Sequence, residues 1–166
     1  GIVGIGAVCV PLNSWWVPSE VIYGLEHSDA KLLFADQKRM QGLEYLKDVK
    51  KIVTSYTPDP SFKSFSDFIN EHSISFPEVN IGRNDPATIY YTSGSTGKPK
   101  GVLSSQKAVI ATLFSWACFS SIMKEVDNQK DPNTPPLLDE ASAILLCVPL
   151  FHVTGSHAGM FMSILV

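Results

Sequence analysis

Several features that would assign a chain to a protein class at once are missing from this sequence. It has only 3 cysteines, and Cys9, Cys118 and Cys147 stand far apart in apolar runs, without the Cys-x-x-Cys or Cys/His spacing of a metal site. Basic residues are not in excess, because the formal net charge is -3. We therefore expect no nucleic-acid partner and predict buried, reduced thiols in an intracellular protein.

Long uninterrupted hydrophobic runs are also missing. The most apolar long segment, residues 108–123, contains several hydroxyl side chains and is shorter than the roughly 20 residues that span a bilayer. It predicts a buried helix and no transmembrane segment. The apolar start carries no basic leader, so we predict no signal peptide and a cytoplasmic location, with peroxisomal or membrane-peripheral location as alternatives. Both ends fall within apolar runs without caps or turn signals, which indicates a fragment of a larger protein.

The alternation of predicted strands and helices indicates an α/β fold with a parallel sheet covered on both faces. The predicted strands are a short buried strand end at 7–12 and longer strands at 31–36, 51–56, 87–92 and 142–148. The predicted helices are one beginning at Pro18, one at 37–46, a Ser-capped one at 64–69, a long one capped by Ser104 or Ser105 and running to about Lys124, and one from Ser156. Residues 72–86 are predicted to connect two sub-regions, 93–101 to form a Gly-rich loop, 126–140 a surface loop and 151–155 another loop.

The Gly-rich loop is the most informative stretch of the chain. Residues 90–102 read Tyr-Tyr-Thr-Ser-Gly-Ser-Thr-Gly-Lys-Pro-Lys-Gly-Val. Glycine lets the backbone approach a ligand closely, and N–H, hydroxyl and ammonium groups are what a polyphosphate needs around it. A Walker A loop is excluded because Gly94 and Gly97 are only three positions apart and Pro99, not Ser or Thr, follows Lys98. A Gly-x-Gly-x-x-Gly dinucleotide motif is absent, and a flexible Ser/Gly surface turn is the structural alternative.

Residues 92–101 closely resemble the signature phosphate loop of the adenylate-forming (AMP-binding) superfamily. This superfamily includes acyl-CoA synthetases, 4-coumarate ligases, beetle luciferases and peptide adenylation domains. Residues 6–13 and 25–36 look like its early motif, and Val-Pro-Leu-Phe-His-Val-Thr-Gly at 148–155 is similar to the Pro-Leu-Phe-His segment of acyl-CoA synthetases. Asn-Ser-Trp-Trp at 13–16 is most like the fatty-acyl branch.

The resemblance implies a partial N-terminal domain with a parallel-sheet, three-layer αβα architecture. Residues 1–78 and 79–166 would be its sub-regions, and the C-terminal domain would be absent. The implied reaction joins a carboxylate to the α-phosphate of ATP, with Mg²⁺, and then transfers the acyl group from the adenylate to the thiol of CoA, which is a co-substrate. The family's catalytic lysine, its ribose-binding Asp and its Tyr-Gly-x-Thr-Glu segment have no counterpart here, so the resemblance assigns this chain no catalytic residue and leaves the metal ligands unknown.

The resemblance also implies roles for individual residues. It implies that His152 lines the acyl pocket and can close the channel toward the thiol; a local structural hydrogen bond is the alternative. Which of the two loop lysines contacts phosphate is left open. The implied ATP phosphate-binding residues are Thr92, Ser93, Gly94, Ser95, Thr96, Gly97, Lys98 and Lys100.

Other polar and aromatic residues match no chemical constellation. Ser-Ser-Gln-Lys at 104–107 stands where the family commonly has Thr-His, and Gln106 could keep a hydrogen bond. We interpret three histidines as structural or exposed and two tryptophans as packing residues: His27, His72, His157, Trp15 and Trp16.

Three hypotheses for function remain open at the level of sequence. The first is a fragment of a fatty acyl-CoA synthetase, itself inactive. The second is a truncated, non-catalytic binding or regulatory module. The third is a luciferase-like or amino-acid-adenylating enzyme, because the residues that set specificity in the family lie mostly downstream. The oligomeric state is likewise open.

Overall fold

The computed structural model describes residues 1–43, 46–53, 62–70, 75, 77–93, 97–129 and 145–165. A 3₁₀ turn (Val3–Ile5) comes first, and a π-helix (Thr154–Phe161) leads directly into the last α-helix. The helices are α1 (Pro18–His27), α2 (Gln37–Met40), α3 (Phe65–Asn70), α4 (Gln106–Asn128) and α5 (Met162–Leu165), and the strands are β1 (Leu32–Ala35), β2 (Lys50–Val53), β3 (Lys63–Ser64), β4 (Pro86–Thr92) and β5 (Lys100–Ser105).

The first three strands form a parallel sheet in the order β1-β2-β3. Leu32 lies opposite Lys50, and Ile52 lies opposite Lys63. Ile52 is fully buried, as is Met40 of the connecting helix α2, so the apolar side chains between the strands close a small core. The predicted α/β fold with a parallel sheet is confirmed.

Two predicted helix starts are confirmed and have clear local causes. Helix α1 begins at Pro18, which has no N–H to leave unpaired, and Glu20 Oε2 accepts the Val17 N–H at 3.0 Å. Helix α3 follows Ser64, whose Oγ accepts the Asp67 N–H at 3.0 Å, as the predicted Ser cap requires.

Helix α2 is shorter than predicted. It begins at Gln37, where the Asp36 carboxylate accepts the Arg39 N–H at 2.9 Å, but it ends at Met40. Gly42 follows with a φ of +80°, which breaks the helical path. The predicted continuation to residue 46 is therefore wrong at 41–43 and at Leu46, and residues 44–45 lie outside the described part.

A strand missing from the prediction, β5, pairs antiparallel with β4. Tyr91 lies opposite Gly101, where an added Cβ would come within 2.9 Å of Ile89 Cγ2. The predicted order of strand, Gly-rich loop and helix is therefore wrong, because the loop ends at Pro99 and a second strand intervenes. The predicted long helix follows β5, and Ser105 Oγ accepts the Ala108 N–H at 3.3 Å as one of the two predicted caps.

Helix α4 differs from the prediction in length and in burial. It continues to Asn128, so residues 126–128 are helical and not part of a surface loop; residues 130–140 of that predicted loop lie outside the described part. The predicted burial is wrong, because Gln106 and Val109 in the first turn are its buried residues while Phe114 is 72% exposed. Apart from its first turn and its contact with the segment from Thr154 to Leu165, little of the described chain covers α4.

By length and composition alone, the Gln106–Asp127 part of α4 could cross a membrane, with a mean hydropathy of 1.3. It is the one such helix among the described residues, and the core helix of a soluble protein can pass the same test.

Three further predictions need correction. Of the strand predicted at 142–148, residues 145–148 form no strand because they pair with no described strand, and Leu145 is 90% exposed; residues 142–144 lie outside the described part. The predicted strand end at 7–12 is reduced to one parallel bridge between Cys9 and Thr88. Cys118 and Cys147 are exposed and Cys9 is half-buried, so the expectation of three buried thiols is wrong, although all three thiols are free.

Replacing Gly155 with Ala should destabilise the protein by about 2–3 kcal/mol. An added Cβ would lie 2.4 Å from the Pro149 carbonyl oxygen and 2.6 Å from that of Val148, and backbone atoms cannot move aside cheaply. Urea unfolding of the Gly155→Ala variant measures this, and Gly1→Ala is the control because no atom of the described part of the chain lies within 4 Å of its added Cβ. Equal midpoints for the two variants would contradict the prediction.

Candidate functional site

The Gly-rich loop connects the two strands of the β4–β5 hairpin. Thr92 lies opposite Lys100, and its Oγ1 donates to the Lys100 carbonyl at 3.5 Å, so both ends of the loop leave the hairpin side by side. Gly97 turns the backbone with a φ of +85°, and its added Cβ would meet no atom of the described residues within 4 Å. Gly94, Ser95 and Thr96 lie outside the described residues.

Helix α1 supports the second half of this loop. The Tyr23 hydroxyl donates to the Pro99 carbonyl at 3.1 Å. The Lys98 ammonium lies 5.5 Å from the centroid of the Tyr23 ring, within the range of a cation–π interaction. One half-buried tyrosine therefore contacts two successive residues of the loop.

Tyr91 joins the hairpin to the same helix. Its hydroxyl donates its single proton to the Gly24 carbonyl at 3.1 Å. The hydroxyl oxygen therefore accepts in its hydrogen bond with His27, and His27 Nδ1, 2.9 Å away, donates. The Tyr91 ring packs edge-on against Trp16, with centroids 5.3 Å apart. Burial raises the pKa of Tyr91, which keeps the hydroxyl neutral and able to donate.

Tyr90 points to the other face of β4, as the pleat requires. Its hydroxyl donates to Ser156 Oγ at 2.7 Å, and its ring packs edge-on against His157 at 5.5 Å. Ser156 and His157 are both buried, and Ser156 Oγ also contacts His157 Nδ1 at 3.0 Å. Burial raises the pKa of Tyr90 and lowers the pKa of His157, so both are held neutral.

His152 lies one turn before this buried contact. Ser156 Oγ lies 3.2 Å from the His152 carbonyl, and the His152 Nδ1 accepts the Thr154 N–H at 3.3 Å. In a neutral ring the proton is then on Nε2, and the ring is exposed. The structural hydrogen bond considered for His152 is thus present on one ring nitrogen, and its role at an acyl pocket stays a prediction.

Strand β4 connects the two predicted parts of the site, which are the Gly-rich loop and the turn that carries His152. Tyr91 connects the end of the strand to the α1 face on which Lys98 and Pro99 rest, and Tyr90 connects it to the turn that carries His152. Five of the predicted phosphate-binding residues are described, and all five are exposed: Thr92, Ser93, Gly97, Lys98 and Lys100.

The remaining predictions have mixed outcomes. Gln106 is buried and its Nε2 donates to the Val3 carbonyl at 3.5 Å, so it keeps a hydrogen bond as expected. The interpretation of the two tryptophans as packing residues agrees with the edge-on contact of Trp16 with Tyr91, whereas Trp15 touches Phe151 edge-on but is 74% exposed. His72 lies outside the described residues, and within the described ranges no group of three or more His, Cys, Asp or Glu could hold a metal ion.

Sequence reasoning missed Tyr23 as a support of the loop, while its interpretation of His27 as structural or exposed agrees with an exposed ring that is hydrogen-bonded to Tyr91. Tyr23 and His27 stand four positions apart on α1, and their rings stack with centroids 5.3 Å apart. Two signals in the sequence could have indicated these contacts. Residues four apart on a helix lie on one face, and the adjacent Tyr90 and Tyr91 of a strand face opposite sides.

A loop rich in Gly, Ser, Thr and Lys on an α/β scaffold is typical of enzymes that hold the phosphates of a nucleotide. The AMP-binding enzyme family matches residues 1–166, and this chain belongs to that family.

Several curated proteins and solved structures that resemble the chain are CoA ligases. The chain is 30% identical over 164 residues to 4-coumarate--CoA ligase 3 of Arabidopsis thaliana. This match covers 96% of the chain and 27% of the relative. It is 28% identical to the crystal structure of the anthranilate CoA ligase AuaEII in complex with anthranoyl-AMP, with a TM-score of 0.63 over 69% of this chain and 23% of that one.

The fold is shared with a third protein. A putative long-chain-fatty-acid CoA ligase from Rhodopseudomonas palustris matches with a TM-score of 0.69 at 24% identity, over 95% of this chain and 36% of that one. The chain thus has the fold of part of the N-terminal domain of adenylate-forming enzymes, and it spans about a quarter of the length of the curated relatives it matches.

Acid should destabilise the protein partly through His157. Burial lowers its folded-state pKa below the ordinary value of 6.5, so below about pH 6.5 the unfolded chain binds more protons than the folded one. The stabilising effect of a neutral His157 is fully present above pH 6.5 and is lost as the pH falls through the folded-state pKa.

Unfolding midpoints between pH 8 and pH 5 measure this effect. We expect His157→Gln to flatten the decline on the acid side, and His152→Gln, which leaves the buried ring intact, to keep it. The same slope in both variants would contradict the assignment.

Proposed function

We propose that the protein containing this chain activates a carboxylic acid with ATP and transfers the acyl group to CoA. The carrying observation is the register of the β4–β5 hairpin, which brings the hydroxyl end of the loop at Thr92 beside the lysine end at Lys100. Exposed hydroxyl and ammonium groups on one hairpin loop offer hydrogen bonds and positive charge to a triphosphate. The family match and the CoA-ligase relatives support the same reaction.

The residues present fit the phosphates of ATP. Thr92 and Ser93 offer hydroxyls, Lys98 and Lys100 offer ammonium groups, and none of the described residues crowds the turn at Gly97. When bound, Mg²⁺ would spread the negative charge of the phosphates. The two lysines would then neutralise the charge that builds up on pyrophosphate as the acyl-adenylate forms.

His152 would act on the acyl side. Its Nδ1 is engaged by the Thr154 N–H, which orients the ring and leaves the exposed Nε2 edge available. The buried Tyr90–Ser156 contact fixes the turn that carries it. In this proposal the ring lines the acyl pocket and controls the passage between adenylate and thiol.

A fatty acid is our proposed substrate, on the strength of the Asn-Ser-Trp-Trp segment at 13–16. The name of the Arabidopsis relative makes a hydroxycinnamate the competing candidate. We propose a cytoplasmic location, and we propose that residues 1–166 alone are inactive, because the family's motifs for adenine, ribose and the catalytic lysine have no counterpart in them.

Pyrophosphate exchange tests the proposal directly. The intact protein that contains this chain is incubated with ATP, Mg²⁺, labelled pyrophosphate and either fatty acids of graded length or 4-coumarate. Exchange with a fatty acid supports both reaction and substrate, exchange with 4-coumarate alone overturns the substrate, and no exchange with any carboxylate overturns the reaction. Exchange by residues 1–166 alone would contradict their inactivity.

Removing the loop lysines should slow adenylate formation. We expect Lys98→Ala or Lys100→Ala to lower pyrophosphate exchange by about 10- to 1000-fold, the range found when a group that stabilises developing charge is removed. Lys107→Ala, an exposed lysine in the first turn of α4, is the matched control for loss of one positive charge. If all three variants exchange alike, the loop does not hold pyrophosphate.

His152→Ala should separate the two half-reactions. We expect thioester formation to fall by about tenfold or more while pyrophosphate exchange falls less, because the proposal puts the ring beside the acyl group, and its turn contacts β4 through Tyr90 while α1 and the loop contact it through Tyr91. Single-turnover rates for adenylate formation and for transfer to CoA measure the two steps. Equal losses in both steps, or none, would contradict this role.

A further inference from the structure

We propose that Tyr23 is a positioning residue for the phosphate loop: it holds the Lys98 ammonium and the Pro99 carbonyl in the geometry that receives a triphosphate. This inference rests on the proposed function, because it assumes that the loop binds phosphate. It goes beyond that function by assigning the placement of the loop to a helix more than seventy residues earlier in the chain.

The two contacts of Tyr23 act on different parts of the loop. The hydroxyl hydrogen bond to Pro99 O, at 3.1 Å, holds the backbone just before β5 begins. The ring faces the Lys98 ammonium at 5.5 Å. One side chain therefore positions both the Pro99 backbone and the Lys98 charge, and substitutions of Tyr23 can remove these two contacts separately.

Tyr23 is itself held in place. Its ring stacks on His27 with an interplanar angle of 28°, and His27 is hydrogen-bonded to Tyr91 of the hairpin. Gly24, the next residue, is buried, and its carbonyl accepts the Tyr91 hydroxyl. The helix and the hairpin thus lock together beside Tyr23, and a support that is itself fixed can position a loop.

The strength of the lysine contact suits a binding loop. A cation–π contact with a partly exposed ring is weaker than a charge-assisted hydrogen bond to a phosphate oxygen. Tyr23 can therefore keep the ammonium near the loop in the free and the bound state, while the ammonium N–H groups donate to phosphate oxygens. The benefit of this arrangement is preorganisation, because less side-chain and backbone freedom is lost on binding.

Two substitutions separate the contacts. Tyr23→Phe keeps the ring and removes the hydrogen bond, and Tyr23→Leu removes both. Tyr90→Phe is the matched control, because it removes a tyrosine hydroxyl from the opposite face of β4, where the partner is Ser156. The probe is inorganic tripolyphosphate with Mg²⁺, titrated calorimetrically into the intact protein that contains this chain.

We expect Tyr23→Phe to weaken tripolyphosphate binding by about two- to tenfold, the usual effect of one lost hydrogen bond. Tyr23→Leu should weaken it by roughly threefold more. In a Lys98→Ala background the difference between Phe and Leu should vanish, because no ammonium is left for the ring to hold. Amide exchange at Lys98 and Gly101 should quicken in both Tyr23 variants and stay as in the wild type in Tyr90→Phe.

The outcomes distinguish this inference from the function it rests on. If Lys98→Ala weakens binding but both Tyr23 variants bind as the wild type does, the positioning role is overturned and the phosphate site stands. If the wild type binds no tripolyphosphate, the proposed function fails and the positioning role fails with it. Should Tyr23→Leu not fold, Tyr23→Phe decides: wild-type affinity together with wild-type amide exchange overturns the role.

Discussion

The pleat of β4 is the constraint on which the rest of the site depends. Successive side chains of a strand point to opposite faces, so Tyr91 meets helix α1 and Tyr90 meets the turn that follows His152. Both hydroxyls are buried enough that their pKa values rise, and both find hydrogen-bond partners. A one-residue slip of this strand would exchange the two faces and separate both parts of the site from their supports.

A phosphate bound by a hairpin loop would be held differently from one bound at the start of a helix. A loop at the start of a helix offers unpaired N–H groups and the helix dipole to an anion. Here the loop after Thr92 returns into β5, and helix α4 begins only after that strand, at Gln106. Among the described residues, the groups that could attract a phosphate here are the hydroxyls of Thr92 and Ser93 and the ammonium groups of Lys98 and Lys100, not the N-terminus of a helix.

Local signals predicted local structure well and burial poorly. Pro18 and Ser105 mark helix starts because a missing N–H and a capping hydroxyl act within one turn. The same reasoning overestimated α2, where Gly42 adopts a left-handed backbone, and missed β5, whose pairing partner lies across the loop. The exposed apolar side chains of α4 could not be foreseen, because burial depends on which other segments pack against a helix and composition does not reveal that.

The sequence by itself determined the family and the chemistry of the loop, because hydroxyl, glycine and lysine at fixed offsets are a local property of the chain. It also determined the parallel sheet, through the alternation of strands and helices. Only the tertiary structure decided that the loop closes a hairpin, that Tyr23 supports it and that Tyr90 links it to the His152 turn. These contacts join residues that are distant in sequence, and packing and strand register bring them together.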